Sequence, residues 1–186
     1  MADWFWYVLI YSFFGFLMEV GFARATRCPK RDRKCRYFLP ICPVYGIGAA
    51  AILGLASILG DNLWVLIPCA AAAATAVEYL ASLFYEKVML VSFWDYSHLP
   101  LNLHGRVCLL FSGYWLILTP ALLYLVQPWT ARLVSHIPSV LILPSGLILA
   151  ADTILTILLL RRTRDTESLR WYLHLALFRR LGEAGE

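Results

Sequence analysis

Four acidic residues, Glu19, Glu78, Glu86 and Asp152, stand inside or at the end of stretches that are otherwise apolar. A carboxylate near the middle of a bilayer costs at least ~2.5–3.5 kcal/mol to place, so it needs a partner or a task there. The chemistry open to such groups is binding of a charged or polar substrate, proton exchange, or pairing with a nearby base. A second set of reactive types lies between residues 87 and 106, where Asp95, Asn102, His104 and Arg106 fall among serines and aromatics. These types hold charged headgroups or stabilise buried carboxylates. Trp94 and Tyr96, in the same stretch, read as ordinary aromatic-belt residues.

Spacing gathers the candidates onto faces. At about 100° per residue, Glu78, Ser82 and Glu86 share one helical stripe, which Ala70 and Ala74 extend outward. Ser12 and Gly15 lie on the face of Glu19, and Gly46, Ala50 and Gly54 form a small-residue ridge that admits a neighbouring backbone. Turned inward, these faces would enclose a polar, carboxylate-lined cavity open to the cytoplasm. The competing reading for each acid is a local ion pair or a side chain reaching the interface.

The elements that must position these groups follow from composition. Of 186 residues, 61% are apolar and 15% charged, against roughly 45–50% and about 25% in soluble domains. A chain this short cannot bury that much apolar area in one water-surrounded core, so the bilayer is its expected solvent. Disordered, collagen-like and disulfide-scaffold classes are excluded by the apolar content and by glycines and cysteines without a period. A membrane helix needs roughly 20 mostly apolar residues. Five stretches qualify, about 4–23, 39–60, 63–86, 107–127 and 137–160. The expected fold is an all-α polytopic bundle over 1–160, followed by a basic tail, 161–186. Leu169, Tyr172, Leu173, Ala176 and Leu177 give that tail the pattern of either an interfacial amphipathic helix or a plain basic extension. The first span is not a cleavable signal peptide, because it carries Glu19 and lacks a basic approach and a small-residue cleavage site.

Orientation follows from the basic residues. With the N-terminus outside, fifteen of the sixteen Lys and Arg residues fall on the cytoplasmic side, leaving only Arg132 outside. The positive-inside rule therefore predicts N-out, C-in, which puts all four acids in the inner half of the membrane. The net charge of +4 is explained by this topology. Membrane lipids, with anionic headgroups against loop 24–38 and the tail, are the expected partners, and nucleic acid is not. Cys28 and Cys35 are expected as reduced thiols; their spacing is not that of a usual zinc pair, and no metal or other cofactor is expected.

Five ordered motifs run through residues 6–125: Tyr11-Ser12-Phe13-Phe14-Gly15 with Glu19; Cys42-Pro43-Val44-Tyr45-Gly46; Glu78-Tyr79 with Ser82 and Glu86-Lys87; Trp94-Asp95-Tyr96-Ser97; and Asn102 through Gly105-Arg106. In these the chain resembles the CmpB-like family, ABC-transporter type IV, permease-like membrane proteins. It departs from that family's pattern at Arg36-Tyr37-Phe38-Leu39-Pro40, and Phe16 stands where tryptophan is usual. The resemblance implies transport.

Three functional readings stand beside one another. The leading one is a permease-like protein that binds or moves a small or lipid-like substrate at Glu19, Tyr45, Glu78, Ser82, Glu86, Asp95, Asn102, His104 and Arg106. No lysine follows a glycine, so no P-loop exists in this chain. An ATPase would be a separate subunit, and a homodimer is expected because five helices enclose little space. The second reading is a membrane enzyme acting on lipid headgroups, with Asp95 or Glu86 paired to His104 and with Arg106 on a phosphate. Cys42 would be its possible nucleophile, although a lone cysteine on an apolar helix is more often packing. The third is a scaffold subunit in which Glu19 or Glu78 pairs with Arg106 structurally.

Overall fold

A computed structural model describes residues 2–27, 34–60 and 62–171. Its helices are α1 (Ala2–Ala25), α2 (Pro43–Leu59), α3 (Leu63–Met89), α4 (Leu109–Ser135) and α5 (Ser139–Thr163). All but α2 are long and apolar enough to cross a membrane, and α2 is a shorter apolar helix. The outward surface agrees with an apolar solvent: Trp64 is 92% exposed and Leu143 72%, positions that water would penalise and acyl chains favour. This is a helical membrane protein.

Two boundaries differ from the sequence expectation. The second helix begins at Pro43 rather than near residue 39, because a proline fits the first turn but not a helix interior. Cys42 before it is extended, and its amide donates to the Ser12 carbonyl of α1 at 2.9 Å. The fourth helix does not stop at residue 127 but runs on to Ser135. Gln127 looked like a polar span end; its side chain instead accepts a hydrogen bond from the Tyr11 hydroxyl at 2.7 Å, between α1 and α4. A π-helical turn, Ala121–Val126, lies between Pro120 and Pro128. That wider turn accommodates the missing donors and ring clashes of the two prolines.

Small residues decide the packing of α1 on α2. A Cβ on Gly46 would strike the Ser12 hydroxyl and the Val8 carbonyl, and one on Gly15 would strike the Tyr45 ring. Gly54, on the same ridge as Gly46, meets nothing within 4 Å, so only part of that ridge is a contact. Gly60 (φ 66°) closes α2, and its amide donates to the Ala56 carbonyl at 3.2 Å. The Asn62 carbonyl then receives the amides of Val65 and Leu66. The α2–α3 hairpin buries Ile52 against Leu66, Ala70, Ala71 and Ala74, with Trp115 of α4 closing the cluster. The alanine run thus gives α2 and α4 close access to α3.

The segment after α3 folds into a small hairpin, β1 (Asn102–Leu103) and β2 (Val107–Cys108), with Asn102 opposite Cys108 and Leu103 opposite Val107. Its turn holds His104 (φ 56°) and Gly105 (φ 69°) in the left-handed region, which a glycine adopts without steric cost. Asn102 fixes the turn by accepting from the Gly105 amide at 3.0 Å and donating to the Leu99 carbonyl at 2.8 Å.

The stretch 36–38 docks on α5. The Arg36 guanidinium donates to Thr153 Oγ1 at 2.6 Å, the Tyr37 amide to Thr156 Oγ1 at 3.1 Å and the Phe38 amide to Asp152 Oδ1 at 2.7 Å. Asp152 therefore anchors the approach to α2, satisfying an amide that no helix would serve. In the tail, the described residues end with a 3₁₀ turn, Thr166–Leu169, and Trp171. The rest of the expected tail helix, and Cys28, lie outside the described residues.

Candidate functional site

The site forms where α1 to α4 meet the segment 91–98. Glu19 comes from the last turns of α1 and Tyr45 from the first turn of α2. Glu78 stands on the stripe of α3 that faces its neighbours, and Trp115 on α4 stands against it. Glu19 Oε1 accepts from the Tyr45 hydroxyl at 2.7 Å. Glu78 receives two donors, the Tyr96 hydroxyl at 3.1 Å and the Trp115 indole N–H at 2.9 Å. Glu78 is only 7% exposed, and such bonds offset the desolvation of a buried carboxylate. Burial, and next the Glu78 charge, push the Tyr96 phenol up, so Tyr96 remains protonated and a donor at neutral pH.

Between these groups lies a cavity of about 510 Å³ lined by Glu19, Tyr45, Glu78, Tyr96 and Trp115, with Phe93, Trp94, Phe111 and Tyr114 completing the aromatic wall. Tyr96 stacks on Phe111 with centroids 4.5 Å apart, and Tyr45 lies 5.7 Å from Trp115. Lys34, Glu167 and Arg170 belong to the lining of the cavity as well. Cys35 and Cys42 also line it, their sulfurs 3.1 Å apart.

Of the nine candidate residues, the cavity brings together Glu19, Tyr45 and Glu78. A different cluster forms on the other candidates: Arg106 pairs with Glu86, its guanidinium lies 5.4 Å from the centre of the Tyr79 ring, and Tyr79 Oη contacts His104 Nδ1 at 3.0 Å. Neither Asp95 nor Glu86 reaches His104 by a hydrogen bond among the described residues. Ser82 is buried on the α3 stripe without lining the cavity. Asn102 and Asp95 shape the hairpin segment.

Asp95 carries a pH dependence whose sign is fixed by geometry. Its carboxylate accepts from the Ser97 amide at 2.8 Å and the Ser97 hydroxyl at 3.0 Å, and these bonds hold its pKa below the ordinary carboxylate value. The contribution is complete above the unfolded-state value of about 3.9 and is lost as pH falls through the lower folded value. Acidification through that lower folded value should therefore reduce the protection factor of the Ser97 amide, its exchange rate taken relative to an unstructured peptide at the same pH. In Asp95→Asn that acid-induced loss of protection should be largely absent; an identical pH response in both proteins would refute the assignment. Gly105 belongs to the same lock, since a Cβ there would lie 2.7 Å from Asp95 Oδ1.

A family model described as "Putative ABC-transporter type IV" matches residues 6–158. The chain belongs to this ABC-transporter type IV family. The match extends from α1 into α5 and takes in the cavity-lining helices and the hairpin. No curated protein matches significantly, and no solved structure does.

This ABC-transporter-related membrane protein uses three aromatics that sequence reading had passed over or set aside. Trp94 and Tyr96, expected as interfacial belt residues, line the cavity; Trp94 Nε1 donates to the Arg106 carbonyl at 2.9 Å, and Tyr96 serves Glu78. Trp115 had not been singled out. A signal for it was present: Phe111, Trp115 and Leu118 follow helical spacing along one face of α4.

Proposed function

We propose that this chain is a permease-like subunit that binds a small or lipid-like substrate in the cavity between α1 and α4 and moves it across the cell membrane. The observation that carries the reading is the convergence of Glu19 and Glu78, from two different helices, on one cavity of about 510 Å³. That volume lies in the range that encloses drug-sized ligands, about 300–1,000 Å³. All five helices cross the membrane in this reading, N-out and C-in, so the cavity, with Lys34 in its lining, opens toward the cytoplasm. The P-loop absent from this sequence would come from a separate ATPase subunit, and two copies would complete a pathway that five helices are too few to enclose.

Flux through proteoliposomes tests the proposal. The probes are fluorescent amphiphiles and lipids in cationic, neutral and anionic sets, with and without a co-expressed ATPase. At least one set should cross about tenfold faster than in protein-free vesicles, a barrier difference of about 1.4 kcal/mol. No acceleration for any set would overturn the permease-like reading.

A further inference from the structure

We propose that the cavity selects lipophilic organic cations, an ammonium- or phosphonium-type charge carried on an apolar body. The proposal rests on the permease-like reading and names its substrate class. The first support is Glu78. It is buried, and its two oxygens accept from Tyr96 and Trp115, neutral donors that bring no positive charge. A buried carboxylate without an opposing charge is costly, and a cation entering the cavity offsets that cost. The second support is the wall. Tyr45, Tyr96, Phe111 and Trp115 surround the same space, and the electron-rich faces of such rings attract cations, above all quaternary ones that shed water easily.

The charged lining favours the same sign. Glu19, Glu78 and Glu167 stand against Lys34 and Arg170. Both cations are engaged elsewhere in the lining: Arg170 pairs with Glu167 at 2.6 Å, and Lys34 donates to the Tyr37 carbonyl and sits 5.3 Å from the Trp171 ring centre. Glu78, among the described residues, is served only by the neutral donors Tyr96 and Trp115. An anion would face these carboxylates, and a neutral apolar guest would strip their water and return nothing. A small hard cation would need about six or more oxygen ligands, which aromatic walls do not supply.

Equilibrium dialysis on the full chain in maltoside micelles tests the proposal, using tetraphenylphosphonium and tetraphenylborate, ions of matched shape and opposite charge. Saturable phosphonium binding is expected, about tenfold or more tighter than borate binding. The Glu19→Gln/Glu78→Gln double variant should bind phosphonium about tenfold more weakly, at an unchanged unfolding temperature. Equal affinity for the two ions overturns the cation class and requires no variant. So does a lack of saturable phosphonium binding, or an unchanged affinity in the folded double variant. Competition separates two sources of the same charge. Displacement by dodecyltrimethylammonium alone supports a free amphiphile, and displacement by dodecylphosphocholine as well supports a lipid headgroup. A protein that moves neutral or anionic probes but ignores phosphonium loses the cation class alone. One that binds phosphonium and moves nothing loses the permease-like reading alone.

Discussion

Gly46→Ala should destabilise the protein markedly, whereas Gly54→Ala, two turns further along the same ridge, should leave it intact. The two positions differ only in what a Cβ would meet. At Gly46 it would strike the Val8 backbone carbonyl and the Ser12 hydroxyl, and at Gly54 it has open space. Backbone cannot rotate away as the end of a long side chain can, so α1 and α2 would have to separate. Overpacking of this kind costs about 1–3 kcal/mol or more. The consequence reaches the site, because Tyr45 follows immediately on Cys42-Pro43-Val44 and holds Glu19 from the same turn of α2. Thermal unfolding in detergent, followed by size-exclusion of the surviving fold, measures the difference. Equal midpoints for the two variants would mean that the close approach of α1 and α2 is not what holds this pair together.

Glu78 should separate structure from function. Glu78→Leu removes both acceptors and strands the Tyr96 hydroxyl and the Trp115 indole N–H in a buried site, at about 1–3 kcal/mol for each donor. Glu78→Gln keeps one carbonyl oxygen and the shape of the side chain. A phenol can turn to accept from the new amide, so the wall retains its order. The expected result is a folded Gln variant, close to the parent in unfolding temperature, whose proteoliposome flux falls about tenfold or more. The Leu variant should lose both flux and stability. Equal and mild effects from the two substitutions would mean that neither the charge nor the polarity of Glu78 matters.

These contrasts show where sequence reasoning reached and where it stopped. The cost of an acid in an apolar helix marked Glu19 and Glu78 before any contact was known, because lipid has no other way to accommodate them. The same rule marked Asp152, yet Asp152 serves the Phe38 amide on the far side of the loop. Burial cost reveals that a partner must exist without saying which. Arg106 illustrates the same limit: a base among acids could pair with Glu19, Glu78 or Glu86, and the hairpin at Asn102–Cys108 delivers it to Glu86. Gln127 shows the same limit again: its polarity suggested the end of a span, and only the fold shows its side chain receiving the Tyr11 hydroxyl within a helix that runs on to Ser135.

The sequence by itself determined the solvent, the helical class and the family. Apolar content and span length leave a chain no other way to satisfy its backbone in lipid, and the ordered motifs that carry the family likeness are local strings. The tertiary structure alone decided which groups meet. An almost uniformly apolar helix can rotate about its own axis without changing how much apolar surface it presents to lipid. Hydrophobicity therefore could not say whether Trp115 or Tyr96 faced acyl chains or an acid. The close approach at Gly15 and Gly46, the alanine face of α3 and the hairpin lock at Gly105 help to fix those rotations, and with them the aromatic cavity around Glu78.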